Sequence, residues 1–195
     1  MALTVKVDAA SVQGEGTPQE KPMPDRYHPA LVVLHWLLAF CLIGLLVAGS
    51  TVLAPAANSD PGKLISFRMH MALGLVTLAL MALRLALRLV TRRPPPVDSG
   101  NPWLNRLAPA THWALYVLAF AMALSGMAFA RDSGLPDAVF GDGPMPPAFD
   151  HPGRTVHTIA SRLLMALIAL HVAAALWHQF IRRDGLMARM ALRRR

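Results

Sequence analysis

Thiols and carboxylates are scarce in this sequence. Cys41 is the one cysteine among 195 residues. A lone cysteine closes no internal disulfide, and an iron–sulfur cluster needs several thiolates, so both are excluded within the chain. Cys41 lies in an apolar run and reads as a small packing residue. Acidic residues number 11, against 19 lysines and arginines. None of the acidic residues falls inside the four long apolar runs at 31–53, 64–90, 109–130 and 157–181. That absence weakens a proton- or cation-coupled transporter, which depends on intramembrane carboxylates. Charged residues make up 15% of the chain, against roughly 25% in soluble domains. The formal charge of +8 does not point to nucleic acid. The basic residues sit beside apolar segments and at the C-terminus, not on a face with stacking aromatics.

What is present is hydrocarbon. Hydrophobic residues are 54% of the chain, and the mean hydropathy is +0.41. A bilayer core of roughly 30 Å needs about 20 helical residues, and all four runs meet that length. Arg68, Arg84, Arg88 and Arg162 lie near the ends of the runs, where long side chains reach the interface. Proline punctuates the connections: Pro55 to Pro61, then Pro94-Pro95-Pro96, then a Pro-, Gly- and Asp-rich loop over 132–153. The expected fold is all-α, an integral membrane four-helix bundle over 27–185. Residues 1–26 read as a disordered cytoplasmic tail without the pattern of a secretory signal. Residues 186–195 read as a basic cytoplasmic tail. Arginines concentrate in the second connection (Arg92, Arg93, Arg106) and at the C-terminus, so the positive-inside rule predicts both termini in the cytoplasm.

Orientation turns sequence position into depth. His35 opens the first run, near the inner face. His70 opens the second and His157 the fourth, both near the outer face. His171 follows His157 by 14 residues on one helix, which keeps the two nearly on one face and about 21 Å apart along the axis. Two depth-matched pairs result: His70 with His157 outside, and His35 with His171 inside. Imidazoles at membrane depth are costly and usually functional. Two histidines per level make a poor zinc site, which takes four protein ligands or three and a water. They suit bis-imidazole axial ligation of haem b between facing helices. Gly44, Gly49, Gly74 and Gly126 are candidate notches for close approach; the competing reading of each is ordinary membrane helix packing.

Other residues carry weaker expectations. Arg84 and Arg88, one turn apart, suit inner haem propionates or positive-inside anchoring. Arg68 and Arg154 suit outer propionates or an anionic donor, or simple interfacial placement. His112 and His178 suit propionate or quinone contacts, or no special role. His28 and His151 read as loop residues, and Trp36, Trp113 and Trp177 as the aromatic belt.

The segments LVVLHWLL, RMHMALGLVTLALMALRLALRL, THWALYVLAF and HTIASRLLMALIALHVAAALWHQFIRRDGLMARM resemble the bacterial cytochrome b561 family of four-helix dihaem membrane proteins. The resemblance covers about residues 26–192. It implies two b haems, ligated by His35 with His171 and by His70 with His157. It also implies an inner-membrane, multi-pass protein linking periplasmic chemistry to the quinone pool. One branch resembles superoxide oxidase, in which superoxide is oxidised outside and ubiquinone is reduced; Arg154, three residues before His157, is compatible with it. Other members serve as cytochrome b subunits of dehydrogenase or reductase complexes, without a substrate site of their own. Outside the resemblance, a histidine-dependent metal transporter and a scaffold with incidental histidines remain as competing classes.

Overall fold

The structure is a computed structural model and describes residues 23–146 and 151–192. Most of the expected N-terminal tail, Asp150 and Arg193 to Arg195 lie outside the described residues. All regular elements among the described residues are helical. α1 is Pro29–Ala48 and continues through a π-helical turn, Gly49–Leu53. α2 is Pro61–Val90, α3 is Pro102–Asp132, and α4 is a short helix, Leu135–Phe140. α5 is Pro152–Trp177, followed by a π-helical turn, His178–Arg182, and a 3₁₀ turn, Leu186–Met190. α1, α2, α3 and α5 are each long and apolar enough to cross a membrane.

All four long helices begin with a capping side chain followed by proline at the first helical position. His28 Nδ1 accepts from the Ala30 amide (3.3 Å), and Asp60 Oδ1 from Gly62 (2.8 Å). Asn101 Oδ1 accepts from Trp103 (2.9 Å), and His151 Nδ1 from Gly153 (3.0 Å). The cap satisfies an orphan amide, while proline supplies a preset φ and lacks a donor that would otherwise go unpaired. His28 and His151 are therefore helix caps rather than loop residues. The same chemistry starts α3 at Pro102, seven residues before the expected 109. Pro109 sits inside the helix, where it removes one backbone hydrogen bond without ending it.

The expected loop over 132–153 contains α4. Gly134, at φ +69°, makes the left-handed turn out of α3. Leu135 and Val139 are then buried against Phe67 and Ala130. The Arg68 guanidinium donates to the Val139 carbonyl (Nε 2.9 Å), tying the free end of α4 to α2. Residues 186–192, expected as tail, form a strap across the other end of the bundle. Trp36 Nε1 donates to the Met190 carbonyl (2.9 Å), Arg189 to the Pro95 carbonyl (2.6 Å), and Arg182 to the Ser99 carbonyl (3.1 Å).

The helices associate as two antiparallel hairpins. α1 packs chiefly on α2, and α3 chiefly on α5; contacts between the hairpins are thin. The core cluster of Leu38, Leu46, Met81, Tyr116, Ala119, Met122, Ala160 and Leu164 joins them at mid-depth. Outward faces are apolar: only 11% of the most apolar window of α2, and of α5, is buried. Phe40 and Val90 are each 80% exposed, as befits side chains facing lipid.

Candidate functional site

The two thin seams between the hairpins are where the histidines meet. His35 on α1 faces His171 on α5, with ring centroids 6.3 Å apart and planes at 72°. His70 on α2 faces His157 on α5 at 6.2 Å and 77°. Each pair bridges the hairpins, and α5 contributes to both. Two metal–imidazole bonds of about 2 Å on opposite sides of one iron put the ring centroids about 6 Å apart. Both pairs match that separation.

Local bonding orients the rings at the His70/His157 pair. His157 Nδ1 lies 2.7 Å from the Met122 carbonyl, which only accepts, so Nδ1 carries the proton and Nε2 keeps its lone pair. Fixing a ligand's tautomer through its far nitrogen is the usual second support of a metal-binding histidine. The ring lies over Gly126, where an added Cβ would come within 2.8 Å of Nδ1. His70 lies over Gly49, with an added Cβ at 3.3 Å from Cε1, and its buried Nδ1 has no hydrogen-bond partner. Gly49 opens the π-helical turn of α1, so the helix is distorted where His70 packs. Gly44 and Gly74, by contrast, face open space. Gly44, Cys41, Ala48, Met69, His70 and Leu73 line an apolar groove of about 330 Å³ between α1 and α2.

The His35/His171 pair sits among cations and aromatics. Arg84 Nη2 lies 3.4 Å from His35 Nδ1, and Arg84 Nη1 donates to the Tyr116 hydroxyl. The Arg88 guanidinium stacks 5.6 Å from the Trp113 and Tyr116 ring centroids. The Nε atoms of both arginines are buried without a hydrogen-bond partner. Among the described residues, neither arginine forms a salt bridge. His112 is also here, its ring 5.6 Å from that of His171.

The remaining expected residues lie further out. The Arg68 side chain is occupied by the Val139 carbonyl. Arg154 is exposed in the first turn of α5. His178 donates through Nδ1 to Asp184 Oδ2, which also lies 3.9 Å from Arg182 Nε. Burial pushes the Asp184 carboxyl up. Hydrogen bonds from His178 and the Leu186 amide, with the charges of His178 and Arg182, outweigh it and hold the group below the ordinary carboxylate range. Tyr116, Met122 and Asp184 had no sequence signal of their own. Each acts through a partner that is remote in sequence or brought close by a turn.

A family model described as prokaryotic cytochrome b561 matches residues 26–192. The chain belongs to that family. Members of the cytochrome b561 family bind haem b, and this chain is a multi-pass bacterial membrane cytochrome of electron transfer. It is similar to cytochrome b561 homolog 2 of Escherichia coli, 27% identical over 173 residues that span 86% of this chain and 92% of that one. It is 28% identical to the probable superoxide oxidase CybB of Yersinia pestis over 183 residues, 89% of this chain and 99% of the relative. A cytochrome b562 of Cereibacter sphaeroides is 26% identical over 163 residues, 82% and 90% of the two chains. The side chains fit haem b on their own terms: paired rings at bis-imidazole separation, a carbonyl-fixed tautomer, and two half-buried arginines that form no salt bridge among the described residues.

Proposed function

We infer that this cytochrome b561-family protein holds two b haems in one domain over 27–185. It carries electrons from a periplasmic donor to the membrane quinone pool of the bacterial inner membrane. His70 and His157 ligate the outer haem, and His35 and His171 the inner one. The observation that carries this reading is the near-identical separation of the two pairs, 6.2 and 6.3 Å. When bound, the haems supply one-electron redox chemistry, and the protein tunes it through axial ligands, burial and charge. Arg84 and Arg88 offer guanidiniums to the inner propionates. His112 and His178 lie on the inner side, where a quinone head group would dock. Both termini face the cytoplasm, an orientation supported by the arginines of the second connection and the C-terminus.

Purified protein, expressed with adequate haem, should show a b-type reduced-minus-oxidised spectrum and two haems per chain. His35→Ala and His171→Ala should each remove the same centre, and His70→Ala the other. Loss of one common centre in His35→Ala and His70→Ala would overturn the pairing. Absence of b-type absorbance would overturn the whole reading.

The name of the Yersinia relative and the exposed Arg154 favour a more specific version, superoxide:ubiquinone oxidoreductase. In it, two superoxide ions each lose one electron to become dioxygen, and one ubiquinone takes two electrons and two protons to become ubiquinol. Asp137 and Asp142 oppose an approaching anion on that side, whereas Asp132 is engaged by His151 at 3.4 Å. Rapid haem reduction by superoxide, followed by reoxidation with ubiquinone, would support this version. Reduction only by a protein partner would instead indicate a cytochrome b subunit without its own substrate site.

A further inference from the structure

We propose that Arg84 and Arg88, held on an aromatic platform of Tyr116 and Trp113, make the His35/His171 centre the stronger electron acceptor of the two. The proposal rests on the dihaem reading above. The chain's own groups differ sharply between the two levels. At the inner pair, the Arg84 guanidinium is 3.4 Å from the His35 ring and bonded to Tyr116. Arg88 stacks on both aromatic rings. Among the described residues no carboxylate forms a salt bridge with either guanidinium. Arginine stays protonated, so both are permanent positive charges in a low-dielectric interior. Coordination through Nε2 leaves the proton on Nδ1. Arg84 then meets His35 as a charge, not as a hydrogen-bond donor. A positive charge beside a redox centre favours the state with one more electron.

The outer pair has the opposite bias. His157 donates through Nδ1 to the Met122 carbonyl at 2.7 Å, which makes its ring a more basic ligand and favours the oxidised iron. Arg68, two residues before His70, donates to the Val139 carbonyl, and Arg154, three before His157, lies on the first turn of α5; both are exposed, so solvent screens their charges. Haem propionates would be present at both levels, and Arg84 and Arg88 would offset their charge at the inner one. Two independent features therefore separate the centres in the same sense, with the outer one the weaker acceptor. The gradient runs inward, toward the arginine-rich face.

A spectroelectrochemical titration of the dihaem protein in detergent or nanodiscs tests this. Two resolved one-electron waves are expected. Arg84→Gln should lower the higher-potential wave and leave the lower one in place. A tenfold drop in the reduced-to-oxidised ratio at fixed potential corresponds to about 59 mV. Arg84→Lys, which keeps a charge, should shift it less, and Arg88→Gln should act on the same wave. His70→Ala, which keeps the inner ligands, should retain the higher wave. The proposal fails if Arg84→Gln moves the lower wave, moves both equally, or moves neither while two haems remain bound. If Arg84→Gln does not fold, Arg88→Gln and Tyr116→Phe decide by the same criterion. A wild-type preparation with fewer than two haems per chain overturns the underlying reading instead.

Discussion

At the scale of single residues, glycine decides where imidazole can sit. Gly126 is the tightest case, because a methyl there would overlap the His157 ring at 2.8 Å and push Nδ1 off the Met122 carbonyl. Gly126→Ala should therefore cost the protein its outer haem while sparing the inner one, measured as haem per chain and loss of one redox wave. Gly49→Ala, with 3.3 Å to His70, should do so less completely. Tyr116→Phe keeps the ring under Arg88 but removes the hydroxyl that Arg84 holds. Its expected effect is a smaller downward shift of the inner potential than Arg84→Gln gives, in the same titration. The four histidines were legible in the sequence because imidazole stands out in hydrocarbon and because helical spacing fixes depth. The Tyr116 and Met122 contacts were not. A tyrosine and a methionine carbonyl in an apolar helix look like packing until the neighbouring helix is in place. Sequence alone leaves Arg84 between two roles and shows nothing of its neighbours; in three dimensions its Nη2 lies 3.4 Å from His35 Nδ1.

At the scale of elements, lengths were legible and boundaries were not. Hydropathy alone locates four spans, since about 20 apolar residues have few other uses. It does not see caps. The pairs His28-Pro29, Asp60-Pro61, Asn101-Pro102 and His151-Pro152 mark all four starts, and reading them as cap-plus-proline would have placed α3 at 102. α4 leaves little trace in the sequence because six residues carry too little periodicity, although Leu135 and Val139 are among the most buried side chains. The C-terminal strap makes a separate prediction. Asp184 is held below the ordinary carboxylate range, so its contribution is fully present above the unfolded value and is lost as pH falls through the lower folded one. Neutral and mildly acidic solutions should leave the strap docked. Stronger acid should release it, read as a change in Trp36 emission, since that indole is bonded to Met190. Asp184→Asn removes the titrating group, so it should weaken strap docking at neutral pH and flatten this pH dependence.

At the scale of the whole molecule, the arrangement is two hairpins with sparse mutual contact and two histidine pairs across the gap. Bound haem would link the halves at two depths, adding metal bonds where side-chain packing is thin. A ligand that binds only the assembled state raises its apparent stability. Haem-depleted protein should thus keep its helix content by circular dichroism, yet show a lower melting temperature and greater separation between labels on α2 and α3. If depletion leaves that separation unchanged, the core around Leu38, Tyr116 and Leu164 suffices to hold the halves. The seam also bears on biogenesis. On the proposed ligation, each macrocycle would lie between helices of different hairpins. The amino-terminal hairpin is threaded into the bilayer before α5 is synthesised, and α5 brings a histidine to both levels. On that ligation, assembly would close two leaves around their contents, with the last helix made acting as the clasp.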